Sequence, residues 1–300
     1  GVDQIFEWLD PHHIAEDILI QKKQAYLNLP FFIIRNIIYF ATWSYISHFY
    51  WKTSIDQDNA ITEEEQQEYT KKQQRKAPVA IFMLSITTSF ASFDWIMSLF
   101  PHWFSTIFGI YYFAGSMVFF FAATILVYEI LIQLKLLTNA PNVEHFHDLS
   151  KLLYGFIIFW AYVSFSQYFL TWYANIPEFT QWYYPRIHGE WESLFFILII
   201  FHFIVPLFGF MSRHVKRNRL MRILFSIMMI GLHYLDIRFM IYPNFPKQFP
   251  INEISSTEIW LIVSFGLIII GALFNKIGRY KIIPVNDPRL KESMKLENAL

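Results

Sequence analysis

Seven long apolar runs constrain this 300-residue chain more than any other feature. They cover about 30–51, 77–100, 103–137, 148–176, 189–212, 219–242 and 255–277. Each has at least 20 residues, enough for a helix to cross roughly 30 Å of hydrocarbon. Helices are the expected form, because an open sheet leaves backbone donors and acceptors unsatisfied in lipid. Hydrophobic residues make up 55% of the chain and charged ones 16%, too few to build an ordinary soluble surface. The expected fold is an all-α integral membrane protein with seven transmembrane helices. The transmembrane domain spans 29–277, between an outer polar segment at 1–28 and a polar tail at 278–300.

Phe is the commonest aromatic, with 33 copies, and Trp and Tyr crowd the ends of the runs. That pattern suits lipid-facing helices with aromatic belts at the interfaces. Net charge is zero, so no nucleic-acid partner is indicated; the lipid bilayer is the expected environment. The chain has no cysteine. It therefore supplies no iron–sulfur ligands, thiolate zinc site, disulfide or covalent c-type haem attachment. No metal site is expected; the His12-His13 pair is too weak a signal to assign.

Lys and Arg set the expected orientation. The connections at 52–76, 135–151 and 213–222, with the tail from Lys276, hold 18 of the 24 basic residues. The opposite set holds Lys22, Lys23, Arg186 and Lys247, while Arg35 and Arg238 lie within runs. The C-terminus is thus expected in the cytoplasm and Gly1 on the outer side. An outer Gly1 with no visible signal peptide implies an odd number of preceding spans.

Three outward-running helices each exit at a proline: Pro101, Pro177 and Pro243. These prolines act as rulers. Asp94 and Asp236 each lie seven residues before an exit, roughly 10 Å inside the outer boundary. His233 is three residues from Asp236, on the same helical face. His202 falls near the midplane of an inward-running helix. Acids inside a membrane point to function by default, because they are expensive to place there. Asp94 and Asp236 are therefore candidate proton acceptors, each with a structural alternative. Arg238 is a candidate partner of Asp236. His202 and His233 could be proton carriers, haem ligands or core histidines. His102, at the turn between Pro101 and Trp103, could pass protons at the rim, since histidine changes charge near neutrality. Glu129 is expected near the cytoplasmic interface, in a snorkelling or solvated role rather than a channel role. Ser85, Thr87, Thr88 and Ser89 could join helices or carry a water chain. Tyr111, Tyr112, Gln167 and Tyr168 are candidate cavity walls.

Four segments then point to a family. They are Ser92-Phe93-Asp94-Trp95-Ile96-Met97-Ser98-Leu99 with Pro101-His102-Trp103-Phe104-Ser105-Thr106; Phe165 through Glu178; His202-Phe203-Ile204-Val205-Pro206 with Ser212-Arg213 and Lys216-Arg217; and Tyr26-Leu27-Asn28 with Pro30-Phe31-Phe32 and Arg35. Together the chain resembles the ActF-like membrane subunits of bacterial alternative complex III, a quinol:cytochrome c oxidoreductase. Those subunits are related to the NrfD-like membrane subunit of polysulfide reductase. The resemblance implies two four-helix bundles within ten spans, of which this chain would be the last seven. It also implies partners: a paralogous quinol-oxidising subunit, an iron–sulfur subunit and multihaem c-type cytochromes. Iron–sulfur clusters and haem c would sit on those partners. Menaquinol would be oxidised near the outer face, mainly at the paralogue, with quinone in or near this subunit as a further option. The implied location is the bacterial inner (plasma) membrane.

The combined expectation is a non-autonomous respiratory-chain subunit that supports quinol oxidation. Proton transfer or translocation would run through Asp94, His102, His202, His233, Asp236, Arg238 and Glu129. Two alternatives remain open at this point: an autonomous proton-coupled transporter, and a purely structural scaffold of the complex.

Overall fold

The computed structural model describes residues 5–137, 141–245 and 254–297. Gly1, Lys247 and the last three residues lie outside the described residues. Among the described residues there is no strand, and seven helices are long and apolar enough to cross a membrane. They are α1 (Leu29–Asn59), α2 (Glu63–Trp95), α3 (Phe108–Gln133), α4 (Val143–Ala174), α5 (Glu192–Met211), α6 (Arg219–Ile241) and α7 (Ser256–Ile277).

The stretch at 52–76 is not the charged loop expected from its composition. Only residues 60–62 connect α1 and α2, so the hairpin continues well past the apolar runs. Glu, Gln and Lys are good helix formers. Thr62 and Glu65 close a capping box at the start of α2, satisfying donors the first turn leaves open. Gln57 ties the two arms together by donating to Gln66 O and to Thr70 Oγ1, both at 2.8 Å.

The turn after α2 is longer than a direct entry at 103 would give. A 3-10 turn at Met97–Leu99 leads through Pro101 and Trp103, and α3 begins at Phe108. Asn142 caps α4, and Asn175 ends it in the left-handed conformation at φ 47°. In α5, residues Leu198–Ile204 wind as π-helix. The cause is Pro206, which has no N–H to give the carbonyl of His202, so the register there widens.

α3, α4, α5 and α6 pack into a four-helix bundle. Its interior is apolar and aromatic, including Phe108, Val118, Ile125, Leu153, Ile157 and Met229. The α1–α2 hairpin joins it through α2 against α3. Gly109 permits that approach: a Cβ there would lie 2.6 Å from Ser89 Cβ and 2.9 Å from Ser89 Cα. α7 has no buried residue and touches the rest chiefly near its two ends. The segment before α1 is more than a polar lead. Trp8, Ile20 and Leu27 form a small core of their own, packed against Phe32 of α1.

The prolines 101, 177 and 243 follow α2, α4 and α6, as the ruler argument requires, and these ends are called the proline end below.

Candidate functional site

Two buried carboxylates organise the interior, and they have opposite surroundings. Asp94, on α2, has no exposed surface. Arg35 of α1 grips it in a fork: Nε donates to Oδ2 at 2.8 Å and a terminal nitrogen to Oδ1 at 2.9 Å. Tyr39, one helical turn along α1, donates its hydroxyl to Oδ2 at 2.7 Å. The remaining arm of Arg35 donates to Tyr26 O at 2.9 Å, and the guanidinium lies over the Tyr26 and Phe31 rings. This is a complete ion pair: the planar fork matches the carboxylate, and each charge has its counter-charge in place. Protonating such a carboxylate would cost it the two-pronged contact with Arg35 and leave the guanidinium without its partner. The i, i+4 spacing of Arg35 and Tyr39 was visible in the sequence. Their partnership with Asp94 was not, because it joins residues 59 positions apart across two helices.

Asp236, on α6, is equally buried but has only neutral donors. Tyr111 of α3 donates its hydroxyl to Oδ1, and Trp160 of α4 donates its indole N–H to Oδ2 at 3.0 Å. No cation pairs with it among the described residues. Arg238 does not serve as its partner. Two residues further along α6 it points to another side, where its Nε lies 3.6 Å from Glu258 of α7. Tyr234 also donates to Glu258, so those three groups tie α7 to α6.

The histidines gather on the Asp236 side. His233 and Asp236 share a helical face and both pack against Gly115 of α3. A Cβ on Gly115 would lie 3.2 Å from the His233 ring and 3.4 Å from Asp236 Oδ2. His202, within the π-helical turn of α5, is fully buried with its ring 3.9 Å from that of Trp160. Among the described residues, neither ring nitrogen of His202 has a hydrogen-bond partner, and neither has His233 Nδ1. Buried polar atoms are nearly always bonded, so these nitrogens stand out within an otherwise apolar bundle. Trp160 is the common element, bonding Asp236 and packing its ring against that of His202.

A cavity of about 40 Å³ adjoins this cluster, with Tyr111, Trp160, Ser164, Gln167, Tyr168 and Tyr183 in its wall. Three of the four expected cavity residues are therefore cavity walls; Tyr112 instead packs against the apolar core. Gln167 accepts from Ser105 at 2.9 Å and donates to the Tyr183 hydroxyl at 2.8 Å. Burial raises the Tyr183 phenol above its ordinary pKa, keeping it neutral.

Arg186 closes this end and was missed as more than a loop charge. It is 1% exposed, and it donates to the carbonyls of Phe239, Met240 and Trp182 and to Asn244 Oδ1. Its guanidinium lies 3.6 Å from the centre of a Trp182 ring. Burial pulls its pKa down to about 9, which still leaves a cation at neutral pH. The open carbonyls at the end of α6 are what it satisfies.

The other candidates fall elsewhere. His102 sits at the proline end with Nε2 2.9 Å from Asp17 Oδ2, beside Lys23, whose ammonium donates to Pro101 O at 2.5 Å. Burial draws the Lys23 pKa down, against the opposing pull of Asp17. These contacts fasten the N-terminal segment over the 100–107 turn. Glu129 is not solvated: it is buried between Arg222 at 2.6 Å and Arg219 at 2.8 Å. The Ser/Thr series on α2 turns inward on its own helix. Ser85, Thr87 and Ser89 donate to the carbonyls of Ile81, Met83 and Ser85, and Thr87 also accepts the Trp43 indole N–H. Among the described residues, no three His, Asp or Glu side chains converge as a metal site.

Compared with models of protein families and with curated proteins, the chain matches none.

Proposed function

We propose that this chain is a membrane subunit of a quinol:electron-acceptor oxidoreductase complex and that Asp236 is its proton-handling group. The single observation behind the second half is the contrast at the two carboxylates. Asp94 is locked by Arg35, whereas Asp236 is held by two neutral donors with His233 on its own helical face and His202 against the Trp160 ring. A carboxylate that accepts from a phenol and an indole can also exist as the acid, because no cation loses its counter-charge when a proton arrives. Quinol oxidation releases protons together with electrons, and a relay of this kind receives or conducts them.

The first half rests on the ActF-like sequence segments. They account for a chain with no cysteine and with an intramembrane acid–histidine cluster. In this reading menaquinol is oxidised chiefly at a paralogous subunit, and haem c and iron–sulfur clusters reside on partner subunits. The proline end faces the periplasm and the C-terminus the cytoplasm of a bacterial plasma membrane, following the distribution of Lys and Arg. The test is Asp236→Asn in the assembled complex. Quinol:cytochrome c activity coupled to proton release should fall about 100-fold with assembly intact. Wild-type activity and proton release would overturn the assignment.

One observation favours a second reading. The π-helical turn before Pro206 is irregular backbone within a spanning helix packed against α6, and transporters place their sites at irregular backbone near the midplane. A transporter would move substrate as an isolated chain in vesicles. A complex subunit would instead co-purify with haem and iron–sulfur proteins.

A further inference from the structure

The α1–α2 hairpin carries a second feature, independent of the Asp236 site. An open groove of about 340 Å³ runs between the two helices, walled by Ala41, Tyr45 and Phe49 of α1 and Lys76, Ala80 and Met83 of α2. The small side chains of Ala41 and Ala80 leave the space. Pro78 adds to it, since it cannot donate to the carbonyl of Gln74 and so weakens the ladder of α2 at this level. Tyr50, also on the wall, donates to Gln73 O at 3.4 Å and marks the level at which the groove ends.

That end is basic. Positions 72, 76, 80 and 83 fall on one stripe of α2, so two lysines continue the line of the groove where the apolar run begins at Ala77. Lys72 Nζ lies 5.8 Å from the centre of the Phe49 ring, at the mouth of the groove. Lys72, Arg75 and Lys76 are exposed, and none has an ion-pair partner among the described residues. Glu65 and Glu68, seven and four residues before Lys72, line the same polar patch on its side away from the apolar run. An apolar slot that opens onto exposed ammonium groups at the edge of the hydrocarbon matches one chemical class. We propose that the groove holds the acyl chain of an anionic phospholipid whose phosphate sits on Lys72 and Lys76.

The full chain, isolated in mild detergent as it occurs, is incubated with phosphatidylglycerol or phosphatidylcholine and read by native mass spectrometry. Phosphatidylglycerol should be retained preferentially. Lys72→Gln with Lys76→Gln should reduce that retention tenfold or more, at about fivefold per basic residue, and leave phosphatidylcholine unchanged. Lys71→Gln, off the stripe, should have a smaller effect than either Lys72→Gln or Lys76→Gln. Ala80→Phe should reduce retention of both lipids by filling the slot. Should that variant fail to fold, the exposed lysine pair still decides the question. Equal retention of the two lipids, or no effect of the double substitution, would overturn the proposal. So would displacement of the lipid by inorganic phosphate alone, or a partner helix found seated in the groove.

Discussion

Arg35 closes a two-pronged ion pair on Asp94 at 2.8 and 2.9 Å, and this contact joins α1 to α2 in the apolar interior. With Tyr39 on the same carboxylate, every strong acceptor position of Asp94 that faces α1 is used. The arrangement explains how so costly an acid is tolerated. It also separates Asp94 from Asp236, which lies at a matching distance before its own proline but has no cation among the described residues.

Removing one member of the Arg35–Asp94 pair leaves a bare charge in the interior. Arg35→Leu or Asp94→Leu should each cost about 3–5 kcal/mol, and the double substitution should recover most of that. Reversible unfolding in detergent, arranged as a double-mutant cycle, measures the coupling. Additive single effects would show that the pair does not act as a unit.

Asp236→Asn should behave differently. Its carbonyl can still accept one of the two donors, so the fold should lose only about 1–2 kcal/mol. Tyr111→Phe should cost about as much by leaving Asp236 Oδ1 without its donor. Both variants should assemble and both should impair proton release. A variant that loses stability and retains proton release would place Asp236 among the structural groups.

The seven helices and the three proline exits were legible because length, hydropathy and proline act locally along the chain. So was the shared face of His233 and Asp236, three residues apart on one helix. The partners were not legible. Arg35 and Asp94, Tyr111 and Asp236, and Arg222 and Glu129 are paired across helices, and periodicity within one helix says nothing of what stands opposite. Arg238 shows the error this invites: nearness to Asp236 in sequence suggested a pair, but two residues around a helix is the wrong side. Arg186 was passed over because its partners are mainly backbone carbonyls, which leave no mark in a sequence.

Two glycines on α3 permit different contacts and should fail differently. Gly109→Ala brings a Cβ to 2.9 Å from backbone at Ser89, so the hairpin must shift; a loss of about 2–3 kcal/mol is expected. Gly115→Ala meets the His233 ring at 3.2 Å, and a ring can turn. That variant should unfold within about 1 kcal/mol of wild type yet alter proton release, because it moves His233 relative to Asp236. Thermal unfolding and proton-release assays on the two variants distinguish backbone displacement from disturbance of the site.

Glu129 separates a buried partner from a surface one within a single cluster. The Arg222 side chain is 5% exposed and Arg219 52% exposed, although both contact the same carboxylate at under 3 Å. Solvent screens the outer contact and the freedom lost by a long side chain offsets it, so Arg219→Ala should cost less than about 1 kcal/mol. Arg222 also donates to the Arg217 carbonyl at 2.7 Å and covers the Phe146 ring. Its removal leaves Glu129 buried with only a mobile surface cation, and Arg222→Ala should cost about 3–5 kcal/mol. Equilibrium unfolding of both variants at low and high salt measures the difference. The Arg219 effect should fade with salt and the Arg222 effect should persist, because ions cannot screen a pair they cannot reach.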